Sequence, residues 1–125
     1  MKIKEITEEG IIFDDGSTLI DYHKPSWGYE HVYADWKYMV AMTEAKGNEL
    51  KLANFDFFEN ILDSVVPIEG LGFYLVAKQG LCIRVDCYNK QNGWYSSDLE
   101  LRYTSENGEE VHKDISHTVQ NFIER

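Results

Sequence analysis

The stretch "GFYLVAKQGLCIRVDCY", residues 72–88, decides the kind of fold that this sequence can adopt. Its first part, "GFYLVAK" (72–78), predicts a strand, and "QG" predicts the turn that follows it. The second part, "LCIRVDCY" (81–88), alternates apolar and polar residues, as a strand with one covered face does. One face carries Leu81, Ile83, Val85 and Cys87, and the other carries Cys82, Arg84, Asp86 and Tyr88. The stretch therefore predicts two successive strands of an antiparallel sheet.

The alternation continues toward the C-terminus in "SDLELRYTS" (97–105), where Leu99, Leu101 and Tyr103 share one face and Asp98, Glu100 and Arg102 share the other. The Asn92-Gly93 pair in front of this strand is a hairpin signal, because both residue types tolerate positive φ. We therefore expect Arg84 and Arg102 on the polar face of one hairpin. The Asn107-Gly108 pair in "ENGEEVHKDI" (106–115) predicts another hairpin turn.

The N-terminal part predicts a three-stranded meander. "KIKEIT" (2–7) alternates, and "GIIFDDGSTLIDYH" (10–23) holds two short apolar runs separated by Asp15-Gly16. Asp-Gly between two alternating runs is a strong hairpin signal. We expect strands near residues 2–7, 10–14 and 17–22.

Short helices are expected at two places. In "SHTVQNFIER" (116–125), Ser116 or Thr118 can cap a helix whose apolar face holds Val119, Phe122 and Ile123. "NFDFFENILDSVV" (54–66) fits a short amphipathic helix, although two strands would also absorb its apolar residues, and residues 33–42 fit a helix or a strand. The sequence thus predicts a single α+β domain over 1–125, with an antiparallel β-meander and one or two short helices, including a C-terminal one.

The composition limits the partners. The chain has 125 residues, 43% of them hydrophobic, and a formal net charge of −10. Such an apolar fraction is that of a folded protein, and so acidic a chain lacks the basic surface that a DNA or RNA duplex or an anionic membrane requires. "MKIKEITEEG" at the start holds no signal peptide, and no window is long and apolar enough to span a membrane, so we expect a cytoplasmic location.

Motifs for catalysis or metal binding are missing. The sequence has no P-loop, G-x-S-x-G or G-x-G-x-x-G motif, so we expect no enzyme and no cofactor. Cys82 and Cys87 lie five residues apart, hence on opposite faces of a strand, and we expect two reduced thiols. The histidines are better explained as surface residues than as metal ligands, and we expect no metal site. A hydrolase using Asp86 or Glu30 is the least favoured reading.

The stretch "CYNKQNGWYSSDLEL" (87–101) contains more aromatic and amide side chains than a turn requires. Aromatic rings stack on bases, and amides read base edges and ribose hydroxyls. The candidate ligand residues here are Tyr88, Asn89, Gln91, Asn92, Trp94 and Tyr95. The same residue types also suit a subunit interface, and a plain hairpin would explain Asn92-Gly93 alone. The residues leave these three alternatives open.

Together with "GFYLVAK" and the earlier "EHVYADW" (30–36), the 87–101 stretch resembles a family of short phage- and prophage-encoded proteins. By this resemblance, the characterised members of the family include the first type of Thoeris anti-defence protein. The resemblance implies a β-rich fold with C-terminal helices, a symmetric homo-oligomer with ligand sites between subunits, and binding of cyclic ADP-ribose isomers without cleavage. Where the family has a cysteine pair, this chain reads "SWGYEH" (26–31).

A cyclic ADP-ribose carries an anionic pyrophosphate, which needs local cations in so acidic a protein. Arg84, Arg102 and Lys90 are the candidates. The expectation is therefore a non-enzymatic protein, in the cytoplasm of an infected or lysogenic bacterial host, that sequesters a small cyclic nucleotide immune signal. The alternative is a phage or mobile-element protein-interaction module, whose aromatic hairpin binds another protein.

Overall fold

The computed structural model describes residues 1–23, 31–38, 40–41, 54–91 and 98–123, and this part of the chain is built mainly from strands. The strands are β1 (Ile3–Ile6), β2 (Gly10–Phe13), β3 (Thr18–Tyr22), β4 (His31–Ala34), β5 (Val40–Ala41), β6 (Val65–Ile68), β7 (Gly72–Val76), β8 (Cys82–Gln91), β9 (Glu100–Thr104), β10 (Glu110–Asp114) and β11 (Gln120–Ile123). Short 3-10 helices cover Trp36–Tyr38, Ile61–Ser64 and Ser116–Thr118.

The strands form two sheets. The first has the order β1-β2-β3-β9-β10, and all of its neighbours are antiparallel. The second is arranged around β8, the longest described strand with ten residues. β7, followed by β6, pairs with the first half of β8, and β11 pairs in parallel with its second half. The short strands β4 and β5 also pair with β8.

Both sheets turn one face inward, and the buried side chains form one hydrophobic cluster. Phe13, Leu19 and Leu101 of the first sheet and Phe73 and Ile83 of the second are all completely buried. Trp36 is 1% exposed, and its ring lies 5.6 Å from that of Phe73, measured between centroids. The alternation predicted for 81–88 is confirmed, because Ile83, Val85 and Cys87 are buried while Arg84, Asp86 and Tyr88 are only partly buried.

Several turns are confirmed. The N-terminal meander of β1, β2 and β3 is present, with Asp15 and Gly16 in the turn between β2 and β3. Gln79-Gly80 lies between β7 and β8, and Asn107-Gly108 lies between β9 and β10. The glycines of these turns, Gly16, Gly80 and Gly108, all have φ values between 83° and 87°.

The predicted α+β class is wrong: the fold is mostly β. Residues 116–118 form one 3-10 turn, and the chain continues as β11 instead of a C-terminal helix. Ser116 contacts Asp114 and the Leu99 carbonyl instead of capping a helix. β7 pairs with β8 only as far as Asp86, so the backbone of β8 beyond Asp86 is free to pair with β11.

Among the described residues, no helix has the length and apolar character of a membrane span.

Segment 54–66, which fitted either a short amphipathic helix or two strands, forms no α-helix in its described residues. It contains the 3-10 helix Ile61–Ser64, and β6 begins at Val65. Phe55, Phe57 and Ile61 are completely buried, so these apolar residues enter the core without an α-helical face. Segment 33–42, which fitted either element, contains the end of β4, a 3-10 turn and β5 in its described residues.

The hairpin predicted between residues 81–88 and 97–105 is wrong as well. β8 belongs to the second sheet, whereas β9 pairs with β3 and β10 in the first. Segment 92–97, which contains the Asn92-Gly93 pair, lies outside the described residues. Arg84 and Arg102 consequently lie on two different sheets, and not on one hairpin face.

Candidate functional site

The outer face of β8 carries a row of polar and aromatic side chains next to β4. We call this surface the tyrosine face and define it by Tyr33, Arg84, Asp86, Tyr88 and Lys90. The four β8 residues are two positions apart, so strand alternation brings them to one side. Tyr33 of β4 is directly opposite Tyr88 in the antiparallel register. The tyrosine face thus contains Arg84, Tyr88 and Lys90, three of the residues that the sequence predicted for ligand binding.

The two tyrosines form an aromatic pair. Their ring centroids are 5.7 Å apart and their planes are tilted by 44°. The Lys90 ammonium lies 5.8 Å from the centroid of Tyr33, within the range of a cation–π interaction. An exposed ammonium beside two aromatic rings can interact with a ligand that combines a planar ring and a phosphate.

Arg84 is paired with Asp86. Its Nε lies 3.0 Å from Asp86 Oδ1, and because neither atom makes a hydrogen bond, this contact is an ion pair with poor alignment. The hydroxyl of Tyr88 lies 3.5 Å from Asp86 Oδ2. Burial raises the pKa of Tyr88, and the charges of Asp86 and Asp35 act in the same direction. Tyr88 therefore stays protonated, and its hydroxyl is a hydrogen-bond donor to Asp86.

Asp35 faces Asp86 at the end of the same strand pair. The Asp35 amide donates to the Asp86 carbonyl at 2.8 Å, one position beyond the Ala34–Cys87 pair. Burial raises the pKa of Asp35, the charge of Asp86 raises it further, and the Lys90 ammonium partly offsets this. Two carboxylates opposite each other on one face are unfavourable unless a cation or a hydrogen-bond donor lies near them.

A groove with a volume of about 340 Å³ adjoins the tyrosine face. We call it the β4 groove; it is lined by Tyr33, Ala34, Trp36 and Tyr38, with Glu8, Asp35 and Lys37 contributing polar atoms. Ala34 and Trp36 are almost fully buried and form its floor, whereas Tyr38 is 77% exposed and stands at its rim. Tyr33 and Asp35 belong to the groove and also neighbour Tyr88 and Asp86, so the groove and the tyrosine face are continuous.

The remaining residues predicted on β8 lie elsewhere. Asn89 is on the inner face and is completely buried, although its Nδ2 donates to Asn121 Oδ1 at 3.0 Å and its own Oδ1 makes no hydrogen bond. It cannot reach a ligand on the tyrosine face. Gln91 is the last residue of β8, and Asn92, Trp94 and Tyr95 lie outside the described residues.

Arg102 lies on the first sheet and already has partners. Its guanidinium carbon lies 3.5 Å from the centroid of the Tyr22 ring. Its Nε donates to Glu100 at 2.6 Å, and Glu110 lies 3.7 Å from Nη1. The hydrogen bond to Glu100 raises the pKa of Arg102. The guanidinium is therefore held in a local network and does not join Arg84.

A second depression of about 430 Å³ surrounds Arg102. Its lining includes the carboxylates of Asp98, Glu100 and Asp114, so its charge opposes an anionic ligand. Although this depression is larger than the β4 groove, its chemistry suits the expected ligand less well. The tyrosine face with the β4 groove is accordingly the better candidate site.

Sequence reasoning missed the contribution of β4 to this site. "VYAD" (32–35) carries its own alternation, with Val32 and Ala34 buried and Tyr33 and Asp35 only partly buried. The four-residue length of β4 and the Pro and Gly residues before it concealed that signal. The pairing of Tyr33 with Tyr88 also joins positions 55 apart, which no local pattern indicates.

Within the described residues, no group of three or more His, Cys, Asp and Glu side chains could hold a metal ion. The fold and the site thus define a two-sheet β protein that carries an aromatic sheet face of mixed charge. Comparison with family models, curated proteins and solved structures finds no match for this chain.

Proposed function

We propose that this chain is a non-enzymatic binding protein that sequesters a small cyclic nucleotide immune signal, such as a cyclic ADP-ribose isomer, in a phage anti-defence role. The observation that supports the proposal most is the tyrosine face, where Lys90 lies over Tyr33 and Tyr33 packs on Tyr88. A nucleotide offers a planar ring for the tyrosines and a phosphate for the lysine.

The local charge allows an anion to bind. The tyrosine face and the β4 groove together carry three acidic and three basic side chains: Glu8, Asp35, Asp86, Lys37, Arg84 and Lys90. This local balance contrasts with the net charge of −10 for the whole chain. The overall charge slows the association of an anion, whereas the contacts at the site govern its retention.

The test is calorimetry of the purified protein with cyclic ADP-ribose isomers and cyclic oligonucleotides at tens of micromolar protein. We expect saturable heat with at least one of them, and recovery of the intact ligand after denaturation of the protein. Absence of heat with all of them contradicts the binding function. Appearance of a cleavage product contradicts the non-enzymatic part.

Charge variants locate the site. Lys90→Gln is expected to weaken binding by about tenfold, or about 1.4 kcal/mol, if the ammonium contacts phosphate. Lys4→Gln removes an exposed charge from β1 and is the matched control. Arg102→Gln is expected to leave the dissociation constant unchanged, because Arg102 lies on the other sheet. The double variant Asn92→Ala, Trp94→Ala tests the part of the sequence prediction that falls outside the described residues.

The alternative is a protein-interaction module from a phage or mobile element. It is favoured by the finding that Arg84 and Arg102 already contact carboxylates. Pull-down from a bacterial lysate with wild type and Trp94→Ala, together with light scattering for a homo-oligomer, separates the two functions. A specific protein partner that is lost in Trp94→Ala, without any nucleotide binding, would favour this alternative.

A further inference from the structure

We propose that the β4 groove is the subsite for an amino-bearing purine base, with Asp35 accepting a hydrogen bond from the exocyclic amino group. This inference rests on the proposed function, because it assigns one part of the nucleotide to one part of the same site. It also specifies the class of base, which the tyrosine face alone does not.

The shape of the groove suits a planar ring. Its volume of about 340 Å³ lies in the range of small-molecule sites, and its floor is the buried pair Ala34 and Trp36. Tyr33 and Tyr38 supply two further aromatic rings, one on the tyrosine face and one at the rim. An apolar floor and aromatic walls favour a flat aromatic ligand, which gains stacking and loses contact with water.

The charge arrangement selects an amino group over a carbonyl. Asp35 lines the groove and pairs through its backbone amide with Asp86 at 2.8 Å, and burial together with the charge of Asp86 raises the pKa of Asp35. A neutral N–H donor relieves this repulsion, whereas a carbonyl oxygen at the same point would add to it. Adenine carries an amino group at position 6 and hypoxanthine carries a carbonyl there, so the groove is expected to distinguish them.

The same arrangement leaves the phosphate end of the ligand beside cations. Lys90 lies over Tyr33, and Lys37 belongs to the groove, with its Nζ 3.4 Å from the carbonyl of Ile6. A nucleotide with its base in the groove can therefore place its phosphate near either ammonium. The subsite and the tyrosine face thus serve one ligand.

The test compares adenosine 5′-monophosphate with inosine 5′-monophosphate, which differ in the group at position 6 of the base. We expect wild type to bind the adenine nucleotide at least about tenfold more tightly, since an unmatched acceptor at a polar contact is costly. Asp35→Asn is expected to bring the ratio close to one, because an amide can both donate and accept. Asp63→Asn, at an exposed position away from the groove, is the matched control.

Tyr38→Ala tests the aromatic wall separately. Tyr38 is 77% exposed, so its removal is expected to leave the fold intact and to weaken both nucleotides by roughly fivefold to tenfold. Circular dichroism and the unfolding midpoint check that Tyr38→Ala and Asp35→Asn remain folded.

The outcomes separate this inference from the proposed function. Binding of a cyclic ADP-ribose that does not change in Tyr38→Ala and Asp35→Asn, or equal affinity of wild type for the two monophosphates, overturns the base subsite alone. A preference for the adenine nucleotide without binding of any cyclic nucleotide overturns the proposed function alone. Absence of binding for every nucleotide overturns both.

Discussion

Asp21 of β3 accepts the indole N–H of Trp36 at 2.9 Å, and this hydrogen bond joins the first sheet to the segment that follows β4. The second carboxylate oxygen of Asp21 accepts the amide of Ala34 at 2.8 Å. Trp36 and Ala34 form the floor of the β4 groove. A partly buried carboxylate on the first sheet therefore positions the floor of the candidate site, which belongs to β4 and the segment that follows it.

Asp21→Asn is expected to lower the free energy of unfolding by about 1–3 kcal/mol. The side-chain NH₂ of asparagine would face the N–H of either Ala34 or Trp36, so one of the two hydrogen bonds would be lost. Urea denaturation measures the change. The control, Asp63→Asn, removes an exposed carboxylate and is expected to stay within about 0.5 kcal/mol of wild type. Equal unfolding midpoints for Asp21→Asn and the control would contradict the structural role of Asp21.

The pH dependence of stability gives a test with opposite signs at two aspartates. Burial raises the pKa of Asp21 above 3.8, although hydrogen bonds from Ala34 and Trp36 oppose this shift. Hydrogen bonds from Ser116 lower the pKa of Asp114. Because the pKa of Asp21 is higher in the folded than in the unfolded chain, Asp21 contributes stability below pH 3.8 that is lost as the pH rises through its folded-state pKa. Because the pKa of Asp114 is lower in the folded chain, Asp114 contributes stability above pH 3.8 that is lost as the pH falls through its folded-state pKa.

We therefore expect the destabilisation by Asp21→Asn to shrink as pH rises from 3.8 through the folded pKa, and that by Asp114→Asn to shrink as pH falls from 3.8. Chemical denaturation at a series of pH values between 2 and 7 measures both differences against wild type. The same pH trend in both variants would contradict the assignment of these shifts.

The sequence predicted the parts of the fold that depend on local contacts. Alternation over 81–88 and 97–105 correctly assigned the inward residues, and the Asp-Gly and Asn-Gly turns at 15–16 and 107–108 are present. In these segments the strand period and the turn chemistry act within a few residues, so the pattern alone carries the information.

The wrong predictions of a C-terminal helix and of a hairpin between β8 and β9 have a common physical cause. Both depend on which strand has an edge with unpaired backbone groups. Val119, Phe122 and Ile123 have a spacing that suits a helix, but the second half of β8 leaves an edge that β11 occupies in parallel. β9 follows β8 in sequence, yet it pairs with β3 in the other sheet. Long-range pairing overrides local propensity here.

The site was predicted only in part for the same reason. Tyr88 and Arg84 lie on the outer face of β8, as the alternation indicates. Asn89 follows Val85 and Cys87 on the inner face of the strand and is therefore buried. The partners from β4, Tyr33 and Asp35, come from a strand far away in sequence. Their contribution depends on the register between β4 and β8, which a single sequence does not contain.

Gly72→Ala is expected to be much more damaging than Gly80→Ala. A Cβ at Gly72, whose φ is 152°, would lie 2.0 Å from the carbonyl oxygen of Val85, so the β7–β8 pairing would have to move. Gly80→Ala is the matched control, because Gly80 also has a positive φ (83°) but meets nothing within 4 Å.

We expect Gly80→Ala to cost about 1–2 kcal/mol through its backbone conformation, and Gly72→Ala to cost at least about 2 kcal/mol more because a backbone clash is added. Thermal and urea unfolding measure both. Gly72 pairs with Asp86, so the displacement also reaches the tyrosine face. If the two alanine variants lose equal stability, the close approach of Gly72 to Val85 is incorrect.

The two thiols are expected to differ sharply in reactivity. Cys87 is completely buried, and burial raises its pKa to about 12, whereas Cys82 is only partly buried on the outer face of β8. The thiolate is the reactive form, so Cys87 presents very little nucleophile at pH 8. A disulfide-exchange reagent is therefore expected to label one thiol in the folded protein and both in denaturant.

Cys82→Ser is the control for this assignment, and it is expected to abolish labelling of the folded protein while leaving one reactive thiol after unfolding. The slow labelling of Cys87 then measures how often the inner face of β8 becomes exposed, because the thiol is accessible only when the two sheets separate. Its rate should rise in Asp21→Asn, because an amide cannot accept both of the hydrogen bonds that Asp21 accepts from Ala34 and Trp36. Rapid labelling of folded Cys82→Ser would show that the inner face of β8 is open to solvent, contrary to the packing described above.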